Sequence, residues 1–372
     1  MRSTSTFTPH QEAALKAVAD WLASGPGDRG VPQIFRLFGY AGTGKTTLAK
    51  HIAAGVEGEV LFAAFTGKAA LVMRSKGCTD ASTIHSLIYR ARERDEEMPS
   101  FELWNDSPAA DAKLIIIDEC SMVDAELGRD LMSFGAPLLV LGDPAQLPPI
   151  QGGGFFTEAE PDAMLTEVHR QAENDPIVRL SMQIRAGERL APADYGTTQV
   201  VRRSELDPQR VLEADQVLVG RNATRRAYNA RMRERRGLTE PLPLAGDKLV
   251  CLRNNKKKGL FNGSLWQVGT ARARKTGVLS MRLTPDEGFA KPVKVSVRPE
   301  CFTGAIEELD WSLRKRYDEF DFGYVLTVHK AQGSQWDDVV LFDESFAFQE
   351  SRERWLYTGV TRAAKRLTVV LP

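Results

Sequence analysis

The chain has 372 residues, 42% hydrophobic and 26% charged, an ordinary globular composition with room for two or three domains. With 49 basic and 49 acidic residues, no global charge excess points to nucleic acid, so any such surface must be local. No apolar run reaches the roughly 20 residues that cross a bilayer, and the first six residues lack the apolar core of a secretory signal. Cys78, Cys120, Cys251 and Cys301 are scattered without a C-x-x-C pair; this speaks against a zinc site or disulfide framework and for a reducing cytoplasm.

In chain order, Thr8-Pro9-His10-Gln11 opens a predicted helix that runs to about Ala23, with Ala14, Leu15, Val18, Trp21 and Leu22 at helical spacing. Thr8 to Gln11 fits a capping box with Pro9 at the first helical position. Strands are then predicted at 33–38, 59–64, 113–117 and 137–141, alternating with helices near 45–54, 67–76 and 124–133. That alternation argues for a parallel sheet flanked by helices. Residues 89–112 break the pattern: a charged stretch precedes Phe101-Glu102-Leu103-Trp104, and either a projecting hairpin or a disordered loop fits.

A second alternating region begins near Leu165, with a helix at 174–187 and a strand at 216–219. An arginine-rich helix follows, with Asn222 as expected N-cap and Gly237 as stop. Between Gly246 and Cys301, short apolar runs split by Asn262-Gly263 read as a small all-β unit with hairpin turns. Strands return at 324–327, 339–342 and 366–371. The basic cluster Arg253 to Lys258 suits either a turn or a phosphate-tracking loop.

The chemistry begins at Gly39-Tyr40-Ala41-Gly42-Thr43-Gly44-Lys45-Thr46-Thr47, a full G-x-x-x-x-G-K-[ST] match between a strand and a helix. Its backbone N–H groups and the helix N-terminus can cradle phosphates. Lys45 would reach the β- and γ-phosphates, and Thr46 would hold Mg²⁺. Downstream, Leu114-Ile115-Ile116-Ile117-Asp118-Glu119 is an apolar strand ending in two carboxylates, where a crevice opens. Asp118 would bind Mg²⁺ and Glu119 would activate water. A third strand ends in Gly142-Asp143-Pro144-Ala145-Gln146-Leu147-Pro148-Pro149; Gln146 could sense the γ-phosphate, and the prolines stiffen the loop.

Further segments follow in order: Phe62 to Ala70, Ser82 to Leu87, Val168-His169-Arg170-Gln171, Thr327-Val328-His329-Lys330-Ala331-Gln332-Gly333-Ser334 and Tyr357-Thr358-Gly359-Val360-Thr361-Arg362-Ala363. With the phosphate loop and the acidic pair, the set resembles superfamily 1B DNA helicases of the RecD-like and Dda-like group over nearly the whole length. The resemblance implies two RecA-like P-loop domains with a small SH3-like insertion at 246–301 and a strand-splitting pin near 89–112. The first domain would span 1–160, and the second 161–245 and 302–372.

It further implies ATP and Mg²⁺ as cofactors, single-stranded and forked or tailed duplex DNA as partners, and 5′→3′ movement. Single-strand-binding, replication or recombination proteins would be its protein partners. Gln11 resembles the adenine reader, though the capping box competes for it. Arg170 and Arg362 resemble arginine fingers, and His169 could pack on the base. Gly333 would join the phosphate loop at the nucleotide. Phe65, Thr66, Lys68, His85, Pro148, Thr327 and His329 resemble DNA contacts; His85 equally suits a buried position, and Phe65 suits the core or a stacking face. Gln335 stands where related sequences often carry glutamate toward the ribose, which leaves sugar discrimination open.

Overall fold

The computed structural model describes residues 7–27, 30–91, 101–148, 154–167, 174–286 and 291–372. His169, Arg170 and the 92–100 part of the expected pin lie outside the described residues.

The first α/β unit is built on a parallel sheet. Its strands run, across the sheet, Ser82–Thr83, Val60–Ala64, Leu114–Asp118, Leu138–Gly142, Ile34–Gly39 and Ala163–Leu165. Leu114 to Ile117 and Leu138 to Leu141 are fully buried along their length. Strands covered on both faces read as unbroken apolar runs rather than alternating ones. Each such side chain contributes about 1.5–3 kcal/mol through burial.

The Pro9–Ala23 helix covers one face through Ala14, Val18 and Trp21. Its capping box forms as expected: Thr8 Oγ1 accepts the Gln11 N–H at 3.3 Å, and Gln11 Oε1 accepts the Thr8 N–H at 3.0 Å.

The second α/β unit has the order Val325–Thr327, Gln216–Val219, Trp336–Phe342, Ala363–Leu371, Thr198–Arg202 and Ala193–Asp194. All neighbours are parallel except the last pair. Its core gathers Leu218, Val339, Leu341, Trp355, Tyr357 and Val369.

From it projects a five-stranded antiparallel sheet ordered Val293–Val297, Leu279–Pro285, Leu265–Ala273, Lys248–Cys251 and Phe320–Phe322. It has its own core around Trp266, Met281 and Phe320.

Sheet membership departs from the expected limits in two places. Ala163–Leu165 pairs with Leu37 to Gly39, so the first sheet extends past residue 160. Phe320–Phe322 pairs with Leu249 to Cys251, so the antiparallel unit draws a strand from beyond residue 301. Both strands are three residues long, too short to show a period.

Asn222 is not the N-cap of the arginine-rich helix. The helix is Asn222–Arg235, capped at Arg221 without a side-chain cap of its own. Glu344 serves instead, accepting the N–H groups of Gly220 at 2.8 Å and Arg221 at 2.9 Å. Gly237 ends the helix as expected, at φ 75°, with the Leu238 N–H returning to Arg233 O.

At the expected pin, Tyr89–Ala91 pairs antiparallel with Phe101–Leu103.

Candidate functional site

Gly39 closes the first strand, and the chain enters the Lys45–Ala54 helix through Gly42 and Gly44, both left-handed at φ 79° and 82°. Only glycine takes that turn without strain. The turn brings Gly42, Thr43, Gly44, Lys45, Thr46 and Thr47 to one wall of a cleft of about 410 Å³, inside the roughly 300–1,000 Å³ range of ligand sites. Lys45 Nζ donates to Gly39 O at 2.6 Å and Tyr40 O at 3.0 Å, which holds the ammonium over the loop. Gln11 sits beneath the loop: it is buried, and its Nε2 donates to Thr43 O at 3.0 Å.

Asp118 and Glu119 form the floor. Thr46 Oγ1 donates to Asp118 Oδ2 at 3.2 Å, so one hydroxyl and one carboxylate meet under the loop. Mg²⁺ characteristically takes one or two carboxylates and leaves its other positions to water and substrate phosphates. The pair therefore fits it, and the described residues hold no cluster of three or more His, Cys, Asp or Glu that would suit another metal better.

Glu119 is the one described non-glycine residue with a positive φ, 53°. Its N–H donates to Asp118 Oδ1 at 2.9 Å, which supports the turn. A strained backbone of this kind costs about 1–3 kcal/mol and persists where surrounding structure holds it. Burial pushes the Glu119 carboxyl above its usual range, Arg362 and Lys45 pull it back, and Asp118 and Asp143 push it further up.

The opposite wall comes from the second unit, through Gly333, Ser334, Gln335, Thr361 and Arg362. Arg362 follows the Arg352–Val360 helix and is buried. Its guanidinium donates to Thr358 O at 3.0 Å, Ser334 O at 3.2 Å and Thr361 Oγ1 at 3.2 Å. All three acceptors are neutral, so the positive charge is oriented without being neutralised. Gln146 projects into the same cleft, and its Oε1 is buried without a hydrogen-bond partner. An orphaned buried acceptor of this kind suits a donor arriving with a ligand. Gly333, at φ 70°, lies close enough to the first unit that a Cβ would meet Thr66 Oγ1 and Ala69 Cβ at 3.1 Å.

The expected DNA contacts separate into two groups. Phe65, His85 and Tyr89 line up with ring centroids 6.1 and 5.7 Å apart. His85 is exposed, so the buried alternative falls away, while Phe65 is half-buried, packed on the core at one edge and on His85 at the other. In the second unit His329 packs on Phe348 at 5.2 Å, and burial holds its imidazole below its usual pKa range. Thr66 and Thr327 use their hydroxyls locally, accepting the N–H groups of Ala69 and Lys330. Pro148 is half-buried beside Leu147, whose carbonyl accepts Gln332 Nε2 at 2.9 Å.

Lys68, expected at the DNA, is buried, with Nζ 4.3 Å from the centre of the Trp336 ring of the second unit. In the basic cluster, Arg253 pairs with Glu319 and Lys258 with Asp318.

Sequence reasoning missed Glu344, Arg185 and the hydroxyl of Tyr357. Arg185 stacks on the Tyr40 ring 3.1 Å from its centre, and Tyr357 reaches the phosphate loop from the second unit. Tyr357 lay inside a recognised motif, but nothing along the chain signals the partner of an isolated arginine or glutamate.

The AAA-domain family model matches residues 10–205, and the UvrD-like helicase C-terminal domain matches residues 322–370. The chain belongs to the AAA-domain family. The ATP-dependent RecD2 DNA helicase of Deinococcus radiodurans is 29% identical over 363 residues, covering 89% of this chain and 46% of that protein. The ATP-dependent DNA helicase dda of Enterobacteria phage T4 is 34% identical over 166 residues, 40% of this chain and 37% of that protein. The chain thus spans less than half the length of these curated relatives. Among solved structures, Bacteroides Pif1 bound to single-stranded DNA superposes with a TM-score of 0.58 at 18% identity, covering 98% of this chain and 92% of that one. The shared fold is the parallel-sheet α/β architecture of the Pif1 RecA-like domains.

Proposed function

We propose that this chain is an ATP-dependent DNA helicase that moves along single-stranded DNA, 5′→3′, and unwinds duplex at a fork or tail. The observation that carries the reading is Arg362. A buried guanidinium that hydrogen-bonds only to neutral acceptors, supplied by one α/β unit, faces the phosphate loop and acidic pair of the other. Such a charge stabilises a transferring phosphoryl group, and its supply from across a cleft ties hydrolysis to the relative position of the units.

In this reading the loop amides and Lys45 bind the triphosphate, and Gln11 lies beside the base. Thr46 and Asp118 would hold Mg²⁺, which when bound neutralises charge on the phosphate oxygens. Glu119 orients the attacking water and takes its proton, Gln146 lies at the γ-phosphate with Oε1 open to a hydrogen bond from that water, and Arg362, with Arg170, meets the developing charge. Phe65, Thr66 and His85 on one unit and Thr327 and His329 on the other form the single-strand track. Short hydroxyl and imidazole groups there grip phosphates without reading sequence, and ring faces accept any base. The antiparallel unit is the SH3-like module, and residues 89–112 are the strand-splitting pin.

Strand displacement on partial duplexes with a 5′ or a 3′ tail tests the reading, beside a Lys45→Ala control. Unwinding of the 5′-tailed substrate alone, dependent on ATP and on Lys45, is the expected result. Unwinding of neither substrate by the wild-type chain refutes helicase activity.

A further inference from the structure

We propose that Tyr357 is a positioning residue for hydrolysis: its hydroxyl clasps the phosphate loop to the Asp143–Pro148 segment, so that Arg362 and Gln146 reach the cleft together. The inference rests on the reading of the cleft as an ATPase site and adds to it the link between its walls.

Tyr357 is 1% exposed, and its hydroxyl spends both of its hydrogen-bonding roles across the boundary between the units. It accepts the N–H of Ala41 at 3.0 Å and donates to Asp143 Oδ2 at 2.6 Å. Burial and the Asp143 carboxylate push the phenol well above its usual range, so it stays a donor across any working pH.

The neighbouring residue extends the link. Thr358 Oγ1 accepts the Leu147 N–H at 2.9 Å, while Thr358 O accepts Arg362 Nε at 3.0 Å. Gln332 Nε2 donates to the Leu147 carbonyl from the other side. The segment carrying Gln146 is thus fastened at Asp143 and at the Leu147 N–H to the element that leads to Arg362, and at the Leu147 carbonyl to Gln332 elsewhere in the second unit. On the phosphate loop, Tyr40 beneath Arg185 and Ala41 beneath Tyr357 are two consecutive residues held from the second unit. A shift of the Arg352–Val360 helix therefore carries Arg362, Gln146 and the front of the phosphate loop with it.

The ring alone would fill this core position. The hydroxyl is what makes the link, and the two roles separate in experiment. Tyr357→Phe keeps the ring and leaves the Ala41 N–H and the Asp143 carboxylate without their shared partner. It is expected to lower the DNA-stimulated kcat about tenfold, the worth of one charge-assisted hydrogen bond, with the Kd for a fluorescent ADP analogue within about twofold. Asp143→Ala removes the acceptor of the same link and should lose a similar factor, and the double variant should be no worse than the poorer single one.

A Tyr357→Phe rate within about twofold of wild type, or losses that multiply in the double variant, overturns the clasp. So does an equal loss of analogue affinity and kcat, which would report a distorted loop. Should Tyr357→Phe fail to fold, Asp143→Ala carries the same kcat-against-Kd comparison. A wild-type chain without DNA-stimulated ATPase overturns the ATPase reading and the clasp together; a wild-type-like Tyr357→Phe overturns the clasp alone.

Discussion

Glu119 and Arg362 are the residues whose environments are hardest to explain without chemistry. A carboxyl in a left-handed turn, lifted by burial and facing a guanidinium with neutral partners, stores unfavourable energy in two places at once. As general base, Glu119 must be ionised, so the rate should climb with pH as its proton leaves, with a midpoint above the usual carboxylate range. Glu119→Gln is expected to keep nucleotide binding and to lose turnover by at least ~10²-fold, the scale of general-base catalysis. Equilibrium binding of an ADP analogue beside steady-state ATPase checks both halves. Because Arg362 pulls the Glu119 carboxyl down, Arg362→Ala should also move the ascending limb of the pH–rate profile to higher pH. An unmoved limb would mean that the two charges do not sense each other during turnover. The raised carboxyl has a stability consequence of opposite sign. Its protonated form favours the folded state, so that contribution is present in acid and lost as pH rises through the folded-state value.

At the scale of elements, Glu344 does for the arginine-rich helix what its own cap position does not. Burial alone would raise its carboxyl, but hydrogen bonds from Thr224, Arg221 and Gly220 outweigh it and hold the group below its usual range. Glu344→Gln keeps the shape and removes the charge, and should cost about 2 kcal/mol of unfolding free energy. Since the folded carboxyl is the stronger acid, that stabilisation is full above the ordinary carboxylate range and disappears as pH falls through the lowered value. Denaturant titrations of wild type and variant should therefore converge in acid; a constant gap would show that the charge is not the cause.

The paired strands Tyr89–Ala91 and Phe101–Leu103 are the other element with a prediction. Replacing 92–100 by a short Gly-Ser turn should leave DNA-stimulated ATPase intact and abolish strand displacement. If unwinding survives, these residues are not the pin.

At the scale of the whole molecule, the two α/β units touch through small and specific contacts. Lys68 lies over Trp336, Gly333 against Thr66 and Ala69, and Phe261 of the antiparallel unit reaches Gly67, where a Cβ would come within 2.7 Å of the Phe261 Cβ. The antiparallel unit therefore rests on the first residue of the helix that Thr66 caps. Gly67→Val should push that unit off the helix and weaken DNA-stimulated ATPase while sparing nucleotide affinity. Steady-state ATPase with and without single-stranded DNA, beside fluorescence anisotropy of an ADP analogue, would measure the two separately.

What was legible along the chain was whatever local periodicity and local chemistry encode. The apolar runs ending at Asp118 and Gly142 announced buried parallel strands. The glycines around Thr43 announced a phosphate cradle, and Thr8 with Gln11 announced a helix start that formed as written. The three-residue strands Ala163–Leu165 and Phe320–Phe322 were not legible, because three residues carry no period and their place is set by the strand they join. Nor was the pairing of Arg253 and Lys258 with Glu319 and Asp318, residues about 60 positions away along the chain.

The sequence by itself determined the two parallel-sheet units and the chemistry each brings, since hydrophobic burial and turn geometry act over a few neighbouring residues. Only the tertiary structure decided which side chains meet across the cleft: Tyr357 on Ala41 and Asp143, Arg185 on Tyr40, Arg362 toward Glu119. These partners lie 100 or more residues apart, and the directional reach of a hydrogen bond or a stacked guanidinium leaves no trace in local pattern.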